Sequence, residues 1–161
     1  MPDQSIFTAK EIAFLRALQK QGVSFMIVGA AAAALQGAPI VTQDINLWFK
    51  NLSDPGIIKA LNKVGGSYVP SIGLHPPSFA GPGVELFDIV LTMQGLGAFD
   101  EEINNTILVK LDALAVRILA LERIIKSKET ARRPKDLLTV PVLRDTLATI
   151  KKAEALKKQK S

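Results

Sequence analysis

Three side chains that end in oxygen-bearing groups lie in two segments with the composition of strands. Asp44 and Asn46 fall in segment 44–49, and Asp88 falls in segment 84–91. Residues i and i+2 of a strand point the same way, so Asp44 and Asn46 can reach one ion. Carboxylate oxygens suit Mg²⁺, whereas an Asn offers only a neutral carbonyl. The pattern predicts a site for a hard cation; for Asp88, the alternative is a solvent-facing carboxylate of an amphipathic strand.

A glycine follows the first apolar strand segment. Residues 24–28 (SFMIV) predict a short buried strand, and the Ala-rich residues 30–35 predict a helix. Gly29 and Ala30 thus occupy a strand-to-helix junction, where free N–H groups and the positive end of the helix favour a phosphate. Glycine also simply permits a tight turn, so this feature alone leaves a structural role open.

The composition narrows the possible chemistry. The chain contains no Cys and one His, His75, which excludes disulfides, thiolate zinc sites, multi-histidine metal sites and a Cys–His pair. Only oxygen ligands remain for a metal, which leaves Mg²⁺, Mn²⁺ or Ca²⁺. His75 lies in a Pro-rich segment and is expected to be a surface residue rather than a catalytic one.

Length and charge favour one compact domain with a basic end. The chain has 161 residues, 48% hydrophobic, and 20 Lys and Arg against 15 Asp and Glu. Residues 126–161 hold 11 of the basic and only 4 of the acidic residues. That end either meets nucleic acid or an acidic partner, or is a solvated helix face. The tail 151–161 has no aromatic residue to stack on bases.

The predicted elements alternate along the chain. Thr8 and Glu11 form a capping box at the start of a helix, and Asp54-Pro55 starts another. We expect a loop over 71–83, a strand over 106–111, and helices from Asp112 to about residue 128 and from Pro134, interrupted near Pro141. The order predicts an α/β (α+β) fold: a small mixed sheet flanked by helices, with a core over 1–111 and a helical portion with a basic tail over 112–161, packed on that core.

The amino-terminal region imitates a targeting signal without fitting one. Lys10, Arg16 and Lys20 precede an apolar run over 25–35, but the run is too short to span a bilayer and is rich in Gly and Ala. The residues before it have helical periodicity and include Asp3 and Glu11. We therefore expect a cytoplasmic protein without a membrane span.

Together these motifs resemble the minimal nucleotidyltransferase superfamily, and most closely the small bacterial AbiEii-type proteins. The resemblance rests on residues 25–49 (FMIVGAAAAALQGAPIVTQDINLWF), 87–90 (FDIV) and 127–140 (SKETARRPKDLLTV). It implies a nucleotidyltransferase fold with a nucleoside triphosphate and Mg²⁺ or Mn²⁺ as ligands. Members of this group often occur in toxin–antitoxin or phage-defence pairs, so the resemblance also implies a protein partner. It is equally compatible with RNA as the acceptor of the nucleotide.

The resemblance assigns roles residue by residue. Asp44 and Asp88 would be catalytic carboxylates that hold the metal, with Asn46 in the place of a further metal-binding Asp. The nucleotide would be bound at the strand-to-helix turn, beside the metal strand and in the cleft by the carboxy-terminal helices, by Gly29, Ala30, Thr42, Lys128, Arg133 and Lys135. Asp136 would pair with a neighbouring cation, although the charges of this segment could equally be solvated around a helix that Pro134 initiates.

Departures from the family pattern leave two functions open. Asn46 replaces an Asp, Ala30 replaces a Gly or Ser, and Ile40 stands where many relatives have Arg. Either the protein transfers a nucleoside monophosphate to a hydroxyl, with activity weakened at Asn46, or it is a degenerate module that binds a nucleotide or a protein partner. Trp48 would share the face of Asp44, where it would stack on a base or cover the sheet edge.

Overall fold

The computed structural model describes residues 7–160, which contain six α-helices and seven strands. The helices are α1 (Ala9–Lys20), α2 (Gly29–Leu35), α3 (Pro55–Val64), α4 (Phe99–Glu102), α5 (Leu121–Ala131) and α6 (Pro134–Lys160). The strands are β1 (Phe25–Val28), β2 (Ile45–Phe49), β3 (Ser67–Val69), β4 (Ser78–Ala80), β5 (Phe87–Val90), β6 (Thr106–Leu111) and β7 (Leu114–Leu119).

A mixed five-stranded sheet holds the elements together. Its order is β5–β2–β1–β7–β6, with β1 antiparallel to β2 and parallel to β7, and with β2 parallel to β5. Helix α1 packs against α3, α2 packs against β1 and β2, and α5 joins α6. The predicted α/β fold, a small mixed sheet with helices and a helical carboxy-terminal portion, is confirmed.

Aromatic side chains join the helices to the sheet in the core. Phe14 of α1 lies with its ring centroid 5.3 Å from that of Phe87 and 5.5 Å from that of Phe79. Phe49 of β2 meets Phe79 edge-on at 6.0 Å. Edge-to-face packing of this kind adds to the gain from burial. This cluster anchors β5, which carries Asp88, and β2, which begins directly after Asp44.

Two predicted helix starts are confirmed in detail. The Thr8 hydroxyl accepts from the Glu11 N–H, and the Glu11 carboxylate accepts from the Thr8 N–H, so the capping box is complete. Asp54 caps α3 by accepting from the N–H of Gly56, with Pro55 in the first helical position. Local side-chain chemistry decides both boundaries, which is why the sequence predicts them.

The predicted helix that Asp112 would cap is wrong. Asp112 lies with φ 55° in the two-residue turn of a hairpin, and β7 follows it between β6 and β1. Asp tolerates this left-handed conformation better than most residues do. The division into residues 1–111 and 112–161 stays a prediction, but β7 places part of the second segment inside the sheet.

Three further expectations differ from the structure. The segment 71–83, expected to be a loop, contains β4, which pairs with β3. The strand expected over 84–91 begins only at Phe87, after a turn. Helix α6 runs through Pro141 without the predicted interruption. Proline removes a single backbone donor, and a helix can continue past it when packing holds both sides.

Between residues 7 and 160, no helix is both long and apolar enough to cross a bilayer.

Candidate functional site

The sheet aligns the candidate site residues in one row across three strands. Val28 of β1 is opposite Asn46 of β2, and Asn46 is in register with Asp88 of β5. Side chains in register on neighbouring strands point to the same face of a sheet. Gly29 follows Val28 directly, so the strand-to-helix turn lies beside Asn46, and Asn46 lies between that turn and Asp88.

One cavity brings together every residue that the sequence analysis assigned to the site. Its volume is about 570 Å³. The nine assigned residues all line it: Gly29, Ala30, Thr42, Asp44, Asn46, Asp88, Lys128, Arg133 and Lys135. They come from the start of α2, from the segment that leads into β2, from β2 and β5, and from the corner between α5 and α6. A ligand in this cavity therefore meets acidic groups on one side and basic groups on the other.

The acidic side of the cavity consists of Asp44 and Asp88. Both residues are exposed, and among residues 7–160 neither carboxylate has an ion pair or a side-chain hydrogen bond. Partial desolvation raises the pKa of Asp88 above its usual value, and the negative charge of Asp44 raises it further. A divalent cation placed here would relieve this repulsion, so the donor set fits one hard cation.

Gly29 and Asn46 are in close contact. Gly29 has φ +70°, and a Cβ added to it would lie 2.7 Å from Asn46 Nδ2. A side chain at position 29 would therefore meet both backbone strain and the amide of Asn46. The first turn of α2 receives no side-chain cap from Val28, so its N–H groups are not occupied by a capping side chain.

Thr42 and the residues beside it shape the start of β2. The Thr42 hydroxyl donates to the backbone carbonyl of Asp44 at 2.6 Å. This bond holds the chain just before the strand and so helps to orient the Asp44 side chain.

The basic side of the cavity is largely paired with a buried carboxylate. Asp136 has 0% of its side chain exposed and accepts from Arg133 Nε at 2.8 Å and from Lys128 Nζ at 3.4 Å. Burial alone would raise the pKa of Asp136, but the hydrogen bonds from Arg133 and the charge of Lys128 outweigh it and lower that pKa. These two cations join α5 to α6.

Lys135 differs from the other two cations. It is exposed, and within the described residues its ammonium has no ion pair or hydrogen bond. Lys135 is therefore the cation in the cavity wall that is available to an anionic ligand.

Trp48 and His75, the two other residues considered for a role in ligand binding or catalysis, do not line the cavity. The structure contradicts the stacking role considered for Trp48: its side chain is 1% exposed, its indole N–H donates to the carbonyl of Leu91 at 3.0 Å, and it packs edge-on against Phe99. A buried, hydrogen-bonded indole is unable to stack on a base. His75 is exposed in a tight turn with Ile72, as expected for a surface residue.

Sequence reasoning missed part of the cavity wall. Gln43, Ser127 and Thr139 line it beside the assigned residues. Their positions carry a weak signal, because Gln43 and Ser127 each precede an assigned residue and Thr139 is one helical turn after Lys135. The apolar part of the wall comes from Ile40, Val41, Met93 and Ile124.

Comparison with known proteins supports the fold. No protein-family model and no curated protein matches the chain. It is similar to the structure of ANT(2")-Ia in complex with adenylyl-2"-tobramycin, with TM-score 0.60 and 15% identity over 96% of this chain and 100% of that one. It is also similar to the lincomycin-bound lincosamide antibiotic adenylyltransferase LnuA, with TM-score 0.58 and 12% identity over 87% and 98% of the two chains.

A third similar structure is that of an antigenic nucleotidyltransferase-like protein from Paracoccidioides brasiliensis. Its TM-score is 0.57, with 16% identity over 98% of this chain and 93% of that one. The three structures agree along almost the whole length of each chain. This chain therefore has a nucleotidyltransferase fold.

Proposed function

We propose that the protein is a nucleotidyltransferase, which binds a nucleoside triphosphate together with a divalent cation and transfers the nucleoside monophosphate to a hydroxyl. The observation that carries the proposal is the single cavity in which unpaired carboxylates face a strand-to-helix turn and an unpaired lysine. A triphosphate needs these groups together, because it is an anion that binds through a cation, backbone N–H groups and basic side chains.

The acidic side of the cavity would hold the metal. Asp44 and Asp88 supply hard anionic oxygens, which fit Mg²⁺ or Mn²⁺. Bound there, the cation would offset the charge that develops on the phosphoryl oxygens. The resemblance implies Asn46 as a third ligand, but its amide offers only a neutral oxygen.

The remaining cavity residues would position the phosphates. The backbone at Gly29 and Ala30 would approach the triphosphate closely, with the Thr42–Asp44 bond holding the adjacent strand in place. Lys135 would contact a phosphate directly. Lys128 and Arg133 would act mainly by fixing the wall of the cavity, because Asp136 already engages both.

The proposed step is displacement at the α-phosphorus. The acceptor's hydroxyl oxygen attacks the α-phosphorus, the bond from that phosphorus to the bridging oxygen breaks, and pyrophosphate leaves. The hydroxyl proton passes to the Asp88 carboxylate, which lines the cavity and acts as the general base. The product is a phosphodiester between the acceptor and the nucleoside.

The acceptor is open to several classes. Two of the similar structures are complexes with adenylyl-2"-tobramycin and with lincomycin, so tobramycin and lincomycin are the first acceptors to test. The excess of basic residues in 126–161 favours a neutral or anionic acceptor over a polycation such as tobramycin. RNA and a protein hydroxyl fit that preference.

We also propose, from the sequence resemblance, that the chain is an AbiEii-type protein and that it works with a protein partner. The arrangement of Arg133, Lys135 and Asp136 at the corner of α5 and α6 is compatible with this finer assignment. We further propose that the helical carboxy-terminal portion packs on the sheet core and begins at Leu121 rather than at residue 112, because β7 belongs to the sheet.

Thermal unfolding in the presence of ATP, GTP, CTP or UTP tests the proposal. A ligand that binds only the folded state stabilises it by about 2.7 kcal/mol at a hundred times its Kd. We expect at least one nucleotide to raise the Tm, more with Mg²⁺ than without it. Asp44→Asn should abolish the dependence on Mg²⁺, whereas Asp145→Asn, the same change at an exposed residue outside the cavity, should retain it.

The opposite result separates the two functions that the sequence leaves open. If none of the four nucleotides shifts the Tm at millimolar concentration, the proposed transfer reaction is wrong. The degenerate, partner-binding module is then the better description of the chain. If a nucleotide binds, a label on its α-phosphate follows the transferred group. Its appearance in tobramycin, lincomycin or RNA identifies the acceptor class.

A further inference from the structure

We propose that Asn46 binds the phosphate chain of the nucleotide and that the protein accordingly holds a single divalent cation, between Asp44 and Asp88. This inference rests on the proposed function and adds the ion count and the role of one residue to it. Three observations carry it: the position of Asn46, the absence of any partner for its amide within the described residues, and the charges of the cavity wall.

The position of Asn46 places its amide at the phosphate side of the cavity. Asn46 lies in register between Val28 and Asp88, and its Nδ2 fills the space that a Cβ of Gly29 would need. The amide therefore adjoins the strand-to-helix turn, where Gly29 allows a ligand to approach the backbone. An N–H₂ group at this point can donate to a phosphate oxygen, which a carboxylate in the same place would repel.

The Asn46 amide has no hydrogen-bond partner among the described residues. Asn46 is half-buried and lines the cavity, yet none of the described residues forms a hydrogen bond with its side chain. No buried side-chain N or O atom of the described residues lacks a hydrogen-bond partner, so the unpaired amide of Asn46 reaches the open space of the cavity. The unpaired amide is thus available to the ligand that enters the cavity.

The charges of the cavity wall fit one cation better than two. Two carboxylates line the cavity, and no cluster of three or more His, Cys, Asp or Glu side chains able to hold a metal occurs within residues 7–160. One divalent ion cancels the charge of Asp44 and Asp88. A second would have only the neutral oxygen of Asn46 as a further protein ligand, and the unpaired charge of Lys135 in the same wall would repel it.

Counting bound Mn²⁺ by electron paramagnetic resonance tests the inference. The probe is Mn²⁺ with a nucleoside triphosphate analogue whose α–β bridge is a methylene group, so that no transfer can occur. The base is the one that gives the largest shift in Tm. We expect one protein-bound Mn²⁺ per bound nucleotide in the wild-type protein and two in Asn46→Asp, because the new carboxylate completes a second set of anionic ligands.

Nucleotide affinity provides the second measurement. Asn46→Ala should still bind one Mn²⁺ but should weaken nucleotide binding about tenfold or more, because a hydrogen bond to a charged phosphate is lost. Asn62→Ala, the same change at an exposed residue of α3, should leave both quantities unaltered. The Tm of each variant without ligand shows that it is folded.

The outcomes separate this inference from the proposed function. Two Mn²⁺ per nucleotide in the wild-type protein, or unchanged affinity in Asn46→Ala, would overturn the inference and leave the nucleotidyltransferase proposal standing. Failure of the wild-type protein to bind any nucleotide would overturn both. One ion in the wild-type protein, with a tenfold loss in Asn46→Ala, supports the assignment of Asn46 to the phosphates.

Discussion

Two buried carboxylates of this fold differ in environment from the two carboxylates of the cavity. Glu102 is 2% exposed and binds Arg123 through both oxygens, at 2.8 and 2.6 Å, and Asp136 is engaged by two cations in the same way. Asp44 and Asp88 are exposed and have no such partner within the described chain. The comparison separates carboxylates that hold the structure together from carboxylates whose charge is left for a ligand.

The pKa values follow the same division. Hydrogen bonds from Arg123 lower the pKa of Glu102 to about 2, whereas desolvation and the charge of Asp44 raise that of Asp88. A lowered pKa means that ionisation stabilises the folded state, and a raised one means that ionisation destabilises it. The ionised Asp88 is therefore a cost to the fold at neutral pH, which a bound cation would offset.

The largest effect is expected when a paired carboxylate is removed. The free energy of unfolding should fall as the pH drops from 4.5, the ordinary pKa of a Glu, through about 2, the pKa of Glu102. Glu102→Gln should lose about 3 kcal/mol of stability at neutral pH and should lack most of this acid-dependent fall. Urea unfolding between pH 2.5 and pH 7 measures both quantities.

Glu122→Gln is the matched control for this experiment. Glu122 is exposed on the same helix as Arg123, so its loss should change stability by less than about 0.5 kcal/mol. If Glu102→Gln and the wild-type protein showed parallel pH curves, the two classes of carboxylate would not differ in the way that their neighbours indicate.

A smaller effect is expected at the turn beside Asn46. Gly29 and Gly22 have φ values of +70° and +71°, where alanine is strained. This backbone strain alone should lower the free energy of unfolding by about 1 kcal/mol in both Gly29→Ala and Gly22→Ala. Gly22 has no atom within 4 Å of an added Cβ, whereas Gly29 has Asn46 Nδ2 at 2.7 Å. Gly29→Ala should therefore cost about 1 kcal/mol more and weaken nucleotide binding.

The pair of glycine variants isolates the contact from the backbone strain. Thermal unfolding measures the difference in stability, and the shift in Tm with nucleotide measures binding. Equal losses in both variants, with nucleotide binding retained in Gly29→Ala, would show that the turn is not the place where a ligand approaches the backbone.

The parts of the fold that the sequence predicts are those that local chemistry decides. The capping box at Thr8, the proline start at Pro55 and the strand that precedes Gly29 are all confirmed. Strand β7 was missed because its sequence supports two periods. Leu114, Ile118, Leu121 and Ile125 repeat at helical spacing, whereas Leu114, Val116 and Ile118 alternate as in a strand. Pairing with β1 and β6 decides between them, and no local signal reports that pairing.

The sequence analysis named residues that line the cavity and expected Asp136 to pair with a cation, but it did not predict which cations would be engaged. The order of motifs along the chain was enough to name nine residues that line one cavity. Which cations are engaged depends on burial at the corner of α5 and α6, where Arg132 takes φ 54° and brings Asp136 against Lys128 and Arg133. Burial and the distances across that corner arise only in three dimensions. The same holds for Trp48, which alternation placed on the cavity face and the core buries.

The smallest expected effect distinguishes the two lysines of the cavity. Lys135 is exposed and unpaired within the described residues, so Lys135→Gln should leave the free energy of unfolding unchanged within about 0.5 kcal/mol. It should weaken nucleotide binding about fivefold, the loss expected for one exposed contact between opposite charges. Lys128 has 15% of its side chain exposed and contacts a fully buried carboxylate, so Lys128→Gln should lower stability by about 1–2 kcal/mol.

Salt sharpens the distinction. The contribution of Lys135 to nucleotide affinity acts through solvent, so it should decrease as the ionic strength rises. The nucleotide affinities of the wild-type protein and of Lys135→Gln should therefore converge at high salt. The ion pair of Lys128 with Asp136 is shielded from solvent, so its contribution to stability should change little. If Lys135→Gln instead destabilised the fold and spared nucleotide binding, then the unpaired groups of the cavity would not be the ones that a ligand uses.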